Sequence, residues 1–233
     1  MSQSENPFRV DRVAVPLRHR VTESIRDAIA TGHFKAGDHL PERELCELTG
    51  VSRTLVREAM RQLESEGIIK VEPHRGPFVA RLTREQASGI YQVRMELEGL
   101  ACTLFAENAT EAQRQALKDA LDDLKTVVRR SDPRERLRAK NHFYDCLIQG
   151  TQNEALGICL YMLNSRITLL RATSMNAPGR IKQSIAELSE LVEALMERDA
   201  TRASKLARHH VQMAADAALN RLVEDDQTLV PSK

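Results

Sequence analysis

The sequence predicts a mainly α protein in two parts, an N-terminal winged helix-turn-helix over residues 16–82 and a C-terminal antiparallel all-helical bundle over 83–225. Three observations carry this. Two short helical patterns meet at the turn Thr49-Gly50-Val51, a pair of β-favouring runs follows them, and from Thr83 onward there is no strand signal, only amphipathic helical segments. A length of 233 residues suits two modest domains, each able to bury a core.

Residues 1–15 read as a polar N-terminal arm. Pro16 opens the first helix at a tolerated first-turn position, and Leu17, Val21, Ile25, Ala28 and Ile29 recur at helical spacing until Thr31-Gly32 stops it. A short helix is expected from Glu42 to Leu48 and a third from Ser52 to about Glu66, with Gly67 ending it. Ile68–Glu72 and Pro77–Arg81 flank Pro73-His74-Arg75-Gly76 as a hairpin. Six helices follow, over 84–107, 111–130, 133–149, 153–175, 178–197 and 199–224, and their short connections indicate an antiparallel bundle. Residues 226–233 are expected to form a flexible tail.

Composition excludes more than it selects. Hydrophobic residues at 42% and charged residues at 29% are ordinary for a globular chain, and aromatics at 3% with no Trp lean toward Leu/Ala-rich helices. The N-terminal residues lack a signal-like apolar core and no run is long enough to span a membrane, so a cytoplasmic location is expected. Cys46, Cys102, Cys146 and Cys159 are widely spaced and read as buried, reduced thiols. The net charge is +1, and residues 1–82 hold 13 Lys and Arg against 12 Asp and Glu. A nucleic-acid function must therefore rest on where charges stand, not on their sum.

That placement is specific in the third helix. Leu55, Ala59 and Leu63 repeat every four residues, joined by Val56 and Met60, and form the face to be buried. Arg53, Arg57 and Arg61 repeat with the same period about 200° away around the helix. Ser52 occupies the N-cap position, and with Arg53 and Thr54 it makes up the turn that reaches base edges or phosphates in helix-turn-helix proteins. Gly50 suits the positive φ of the turn. Arg43 on the second helix and His74, Arg75 and Gly76 at the hairpin tip extend the expected DNA contact. The competing reading of the arginine row is a solvated face balanced by Glu58, Glu64 and Glu66.

The stretch Leu17–Thr83, with FKAGDHLPEREL from Phe34, GVSRTLVREAM from Gly50 and HRGPFV from His74, resembles the winged-helix domain of the GntR family of bacterial regulators. The resemblance implies DNA contacts from Arg43, Ser52, Arg53, Thr54, Arg57 and the His74–Gly76 wing. It also implies a homodimer on a palindromic, double-stranded operator. The bundle is similar to the FadR-like branch, whose FCD-type domain binds an effector, through QVRMELEGLA from Gln92 and the closing helices over Ile185–Ala215.

Many members of that branch hold a divalent metal through an acidic residue and a His four apart, plus two further His. The resemblance places Lys140, Tyr144, Leu188 and His209 at those positions, which is not a cation-binding set. No metal and no cofactor are expected. Arg94, Lys140, Tyr144 and His209, with Leu188 as apolar lining, are instead expected to bind a small carboxylate or acyl-type metabolite. His142 and His210 read as structural or surface histidines. The plainer alternative pairs Arg94 with Glu98 and leaves Tyr144 filling space.

The function expected from these features is a ligand-responsive transcription regulator, with repression as the expected sign. Its alternatives are a metal-dependent sensor with a non-standard ligand set, a helical enzyme and a protein-interaction module. A Gly-rich phosphate loop, a nucleophile elbow and an H-E-x-x-H pattern are all missing from the sequence.

Overall fold

A computed structural model describes residues 15–129, 132–175 and 179–228. The expected arm, but for Val15, and the end of the tail lie outside the described residues. The chain begins with α1 (Val15–Ala30), α2 (Glu42–Thr49) and α3 (Arg53–Ser65), followed by the antiparallel hairpin β1 (Ile69–Glu72) and β2 (Gly76–Val79). Six helices follow: α4 (Arg84–Asn108), α5 (Glu111–Val128), α6 (Pro133–Gly150), α7 (Glu154–Met175), α8 (Arg180–Met196) and α9 (Ala200–Thr228).

Local chemistry sets these boundaries. Thr83 and Thr110 each close a capping box with the glutamine three residues on, and Asp132 accepts from the Arg134 amide ahead of Pro133. Gly50, at φ 69°, ends α2 in the left-handed region and returns its N–H to the Cys46 carbonyl. The last helix outruns its expected end at residue 224, because nothing between there and Pro231 breaks a helix.

Two sets of apolar side chains are buried separately. Val21, Ile25 and Ile29 of α1 meet Leu45, Val56, Ala59, Leu63, Ile68 and Val79 in the N-terminal part. Leu17, expected in the same stripe, is exposed at the start of α1. The bundle core joins Cys102, Phe105, Leu117, Leu121, Leu124, Phe143 and Leu147 to Leu188, Leu191 and Leu195. A further cluster packs Ile90 and Tyr91 of α4 against Val211, Ala214 and Ala218 of α9.

The four cysteines are free, as expected, but only Cys102 and Cys146 are buried. Cys46 is half-buried and Cys159 exposed, so helical context does not fix their burial. Arg138 of α6 reaches Asp27 of α1 at 3.9 Å, so the bundle touches the winged helix. No helix among the described residues is long and apolar enough to cross a membrane.

Candidate nucleic-acid interface and effector site

On α3 the buried face comprises Val56, Ala59, Met60 and Leu63, with Leu55 half-buried at its margin. Arg53, Arg57 and Arg61 are exposed on the other side, as their spacing requires. Ser52 stands at the N-cap in extended conformation, yet its side chain makes no capping bond. Its hydroxyl and that first turn, with Thr54 exposed beside it, face solvent.

Arg57 donates from Nε to Glu42 at 2.6 Å, which holds the Glu42 carboxyl below its ordinary pKa. Arg43 pairs with Glu47 one turn along α2, at 2.9 Å and fully in solvent. Exposed pairs of this kind exchange readily with water or phosphate.

At the hairpin tip His74 adopts φ 64° and Gly76 φ 86°. A β-carbon at Gly76 would stand 3.0 Å from the His39 imidazole, so both space and backbone favour glycine. Arg75 lies over the Phe78 ring, 5.0 Å from its centroid, and bonds Glu72 at 2.8 Å. Turn, first helical turn and hairpin tip thus present Arg43, Ser52, Arg53, Thr54, Arg57, His74 and Arg75 to solvent.

The bundle holds a buried polar cluster. Arg94 of α4 is 1% exposed, bonds Glu98 one turn on at 2.5 Å and donates from Nη2 to the Tyr144 hydroxyl at 3.1 Å. Burial opposes the Arg94 charge, but Glu98 more than reverses that and raises its pKa. Lys140, also buried, bonds Ser184 of α8 at 3.5 Å, and Leu188 lies one turn further along α8.

His209 does not join them. It is exposed, whereas His210 is 1% exposed and turned inward. The buried positions of α9 run Ala203, Ala207, His210, Val211 and Ala214, and a shift of one residue is a rotation of 100°. Counting along that stripe identifies His210, where counting from the family pattern had given His209. His210 donates from Nδ1 to Glu187 at 2.6 Å, and Arg180 grips the same carboxylate at 2.8 and 3.0 Å. Arg180 and Glu187 are two helical turns apart, a spacing that brings both side chains to one face of α8 and is visible in the sequence.

Burial first, reinforced by Lys140 and Arg94 against Glu187 and Glu98, brings the His210 pKa down to about 4. The imidazole is therefore neutral at pH 7, its proton is on Nδ1, and Nε2 carries a lone pair with no hydrogen-bond partner among the described residues. His142 is exposed, 3.8 Å from Cys146 Sγ.

A cavity of about 690 Å³ opens to solvent between α6 and α7. Tyr144 and Glu98 line it, together with Ile148, Leu160, Ile158 and Tyr161. Arg94, Lys140 and Leu188 do not reach its wall, and among the five expected effector residues only Tyr144 does.

Comparison with known proteins decides the family. Residues 17–79 match the bacterial regulatory proteins of the gntR family, and residues 89–213 match the FCD domain. The chain belongs to the GntR family. Its domains are those of transcription regulators and not of an enzyme.

Relatives of this GntR regulator include the Glc operon transcriptional activator of Escherichia coli K12, 27% identical across 84% of this chain and 87% of the relative. A probable D-xylose utilization operon repressor of Paenarthrobacter nicotinovorans is also 27% identical, across 83% and 87%. The E. coli McbR/YncC structure covers 91% of this chain and 100% of its own, with a TM-score of 0.75 at 23% identity, which is a likeness of fold.

The divalent metal known in this branch of GntR regulators does not fit the residues present. Lys140 brings an ammonium and Leu188 no donor at all, and the nearby carboxylates Glu98 and Glu187 are engaged by arginines. Among the described residues no group of three or more His, Cys, Asp or Glu is placed to hold a metal ion.

Proposed function

We propose that this GntR regulator binds a palindromic operator as a homodimer in the cytoplasm and represses transcription until a small organic acid or acyl metabolite occupies its helical domain. Residues 16–82 form the DNA-reading unit and 83–225 the effector and dimerisation unit. The observation that carries the DNA reading is the exposed row Arg53, Arg57 and Arg61, set opposite a fully packed face of the same helix.

Arg53 and Arg57 present forks suited to guanine edges or phosphate, while Ser52, Thr54 and Arg43 bind backbone phosphates. His74, Arg75 and Gly76 bring the wing to the flanking groove. The matched family model supports this assignment.

For the effector, the buried cluster gathers the polar side chains Arg94, Lys140 and Arg180 with the carboxylates Glu98 and Glu187. The lone pair on His210 Nε2 has no hydrogen-bond partner among the described residues and is a polar group that an effector can engage. Tyr144 lines the cavity as donor to a carboxylate or acyl oxygen, Leu188 belongs to the buried core in which Tyr144 packs rather than to the cavity wall, and Ile148 and Leu160 line room for an apolar tail. His210, and not the exposed His209, is the histidine of this cluster.

A mobility-shift assay on the DNA upstream of the protein's own gene tests this function. A retarded complex that Arg53→Ala weakens, with the fold unchanged by circular dichroism, is the expected result. Equal retardation of that DNA by both proteins would remove the assignment of α3.

A further inference from the structure

Helix α3 presents Ser52, Arg53 and Thr54 at one end and stops at the other on Gly67, whose φ of 75° is left-handed. Gly67 donates its N–H to the Glu64 carbonyl and Ile68 donates to that of Leu63, which turns the chain sharply out of the helix.

The bundle reaches that turn. A β-carbon at Gly67 would stand 2.9 Å from Nε and 3.1 Å from Nη2 of Arg166, so the guanidinium of this α7 residue lies over the glycine. Glycine is required twice there, for its backbone and for the space. Beside it, Glu66 accepts a bond from Arg26 of α1. Two arginines therefore stand at the C-terminal end of α3, one from the winged helix and one from the bundle. Cations suit that end, because the carbonyls of the last turn are the negative pole of a helix.

Arg166 rides on a firmly seated helix. Leu156 and Leu160 of α7 pack with Leu97, Ala101 and Leu104 of α4, and Leu170 packs with Ile90, Tyr91 and Val211. Arg166 lies between these two anchor points. The other arginine of the bundle that meets the winged helix, Arg138, stands 3.9 Å from Asp27, too far for a hydrogen bond and too loose to fix an angle.

We propose that Arg166 is a positioning residue for DNA binding, through which the bundle fixes the C-terminal end of α3 and so the angle at which Arg53 and Arg57 enter the groove. The inference rests on α3 being the reading helix, as proposed above. At a rise of about 1.5 Å per residue, α3 is about 20 Å long. A pivot of about 6° at its far end moves the first turn by roughly 2 Å, and a bond made at about 3 Å does not survive that. Tyr161 of the cavity wall lies on the same helix as Arg166, so a movement of α7 at the cavity is carried to α3.

Fluorescence anisotropy with the DNA upstream of the protein's own gene tests this on the full chain at two salt concentrations. The variants are Arg166→Ala, Arg166→Lys, Arg53→Ala and the control Arg202→Ala, an exposed bundle arginine paired with Glu193 and Glu197. Circular dichroism melts set a temperature at which every variant is folded.

Arg166→Ala is expected to weaken binding roughly fivefold with the salt slope of wild type, because a positioning residue touches no phosphate. Arg166→Lys keeps a cation at the helix end and should recover much of the loss, while Arg202→Ala binds as wild type. Hydrogen exchange across residues 63–68 is expected to quicken in Arg166→Ala. Wild-type affinity in Arg166→Ala, with Arg53→Ala weakened, would overturn the inference and leave the reading helix standing. A weaker Arg166→Ala whose salt slope falls by about one would put Arg166 on a phosphate and overturn the positioning role. Wild-type affinity in Arg53→Ala would remove the reading helix and this inference with it.

Discussion

His210 donates its Nδ1–H to Oε2 of Glu187 across 2.6 Å and so ties α9 to α8 inside the bundle. Because Glu187 also accepts two bonds from Arg180, it remains a carboxylate, and its pKa falls even though burial pushes it up. The positive charges of Lys140 and Arg94 add to burial in keeping the imidazole neutral.

This pair makes stability depend on pH. The unfolded chain protonates His210 near its ordinary value of 6.5, whereas the folded chain resists until about 4. Below 6.5 the unfolded state binds the extra proton, so stability falls with pH down to about 4 and then levels off. Glu187, lowered in the fold, loses its own contribution at still more acid pH, in the same direction. Urea unfolding is expected to show a loss of about 2 kcal/mol between pH 7 and pH 5 from His210. His210→Gln should flatten that dependence, and an unchanged slope in the variant would place the titration elsewhere.

Chelation separates the direct effector site from a metal-assisted one. With Lys140 and Leu188 where ligands would be required, dialysis against EDTA is expected to leave the melting midpoint and operator affinity unchanged. Elemental analysis of protein purified without added metal should find far less than one divalent ion per chain. A stoichiometric, EDTA-removable ion whose loss lowers the midpoint would overturn the metal-free reading.

Much of this was legible in the residues. The six bundle helices follow from periodicity and from punctuation such as Thr110 and Asp132, and the exposed arginines of α3 follow from a four-residue repeat. Burial of single side chains on long Ala-rich helices was not legible to the same degree. His209 and His210 differ by one position, and only the stripe of Ala203, Ala207 and Val211 tells which one turns inward. Leu17 and Cys159 sit at helical spacing but face solvent, because what covers a helix face depends on tertiary neighbours that periodicity does not name.

Gly150 tests the packing behind the site. It closes α6 against α4, and a β-carbon there would lie 2.2 Å from ring carbons of Phe105, itself fully buried. The ring belongs to the core and has no free volume to enter, so Gly150→Ala must displace a helix. Thermal or denaturant unfolding is expected to show a loss of about 1–3 kcal/mol. Gly89, with nothing within 4 Å of its added β-carbon, is the matched control and should lose nothing measurable on the same change.

Part of the arginine row is already engaged before DNA arrives. Arg57 is engaged by Glu42 at 2.6 Å, while the neighbouring Arg53 turns to solvent one helical turn earlier. Arg57→Ala and Arg53→Ala are each expected to cost about 1–3 kcal/mol of operator binding if they read bases. If they touch phosphate instead, binding weakens alike on every sequence and the salt slope falls by about one. Glu42 sets a carboxylate beside the same arginines, so Glu42→Gln removes a competitor for Arg57 and a charge that repels phosphate. Anisotropy titrations at two salt concentrations should find that variant binding several-fold more tightly, most of the gain appearing at low salt. Weaker binding by Glu42→Gln would mean that Glu42 positions Arg57 for the DNA, so that the ion pair persists in the complex.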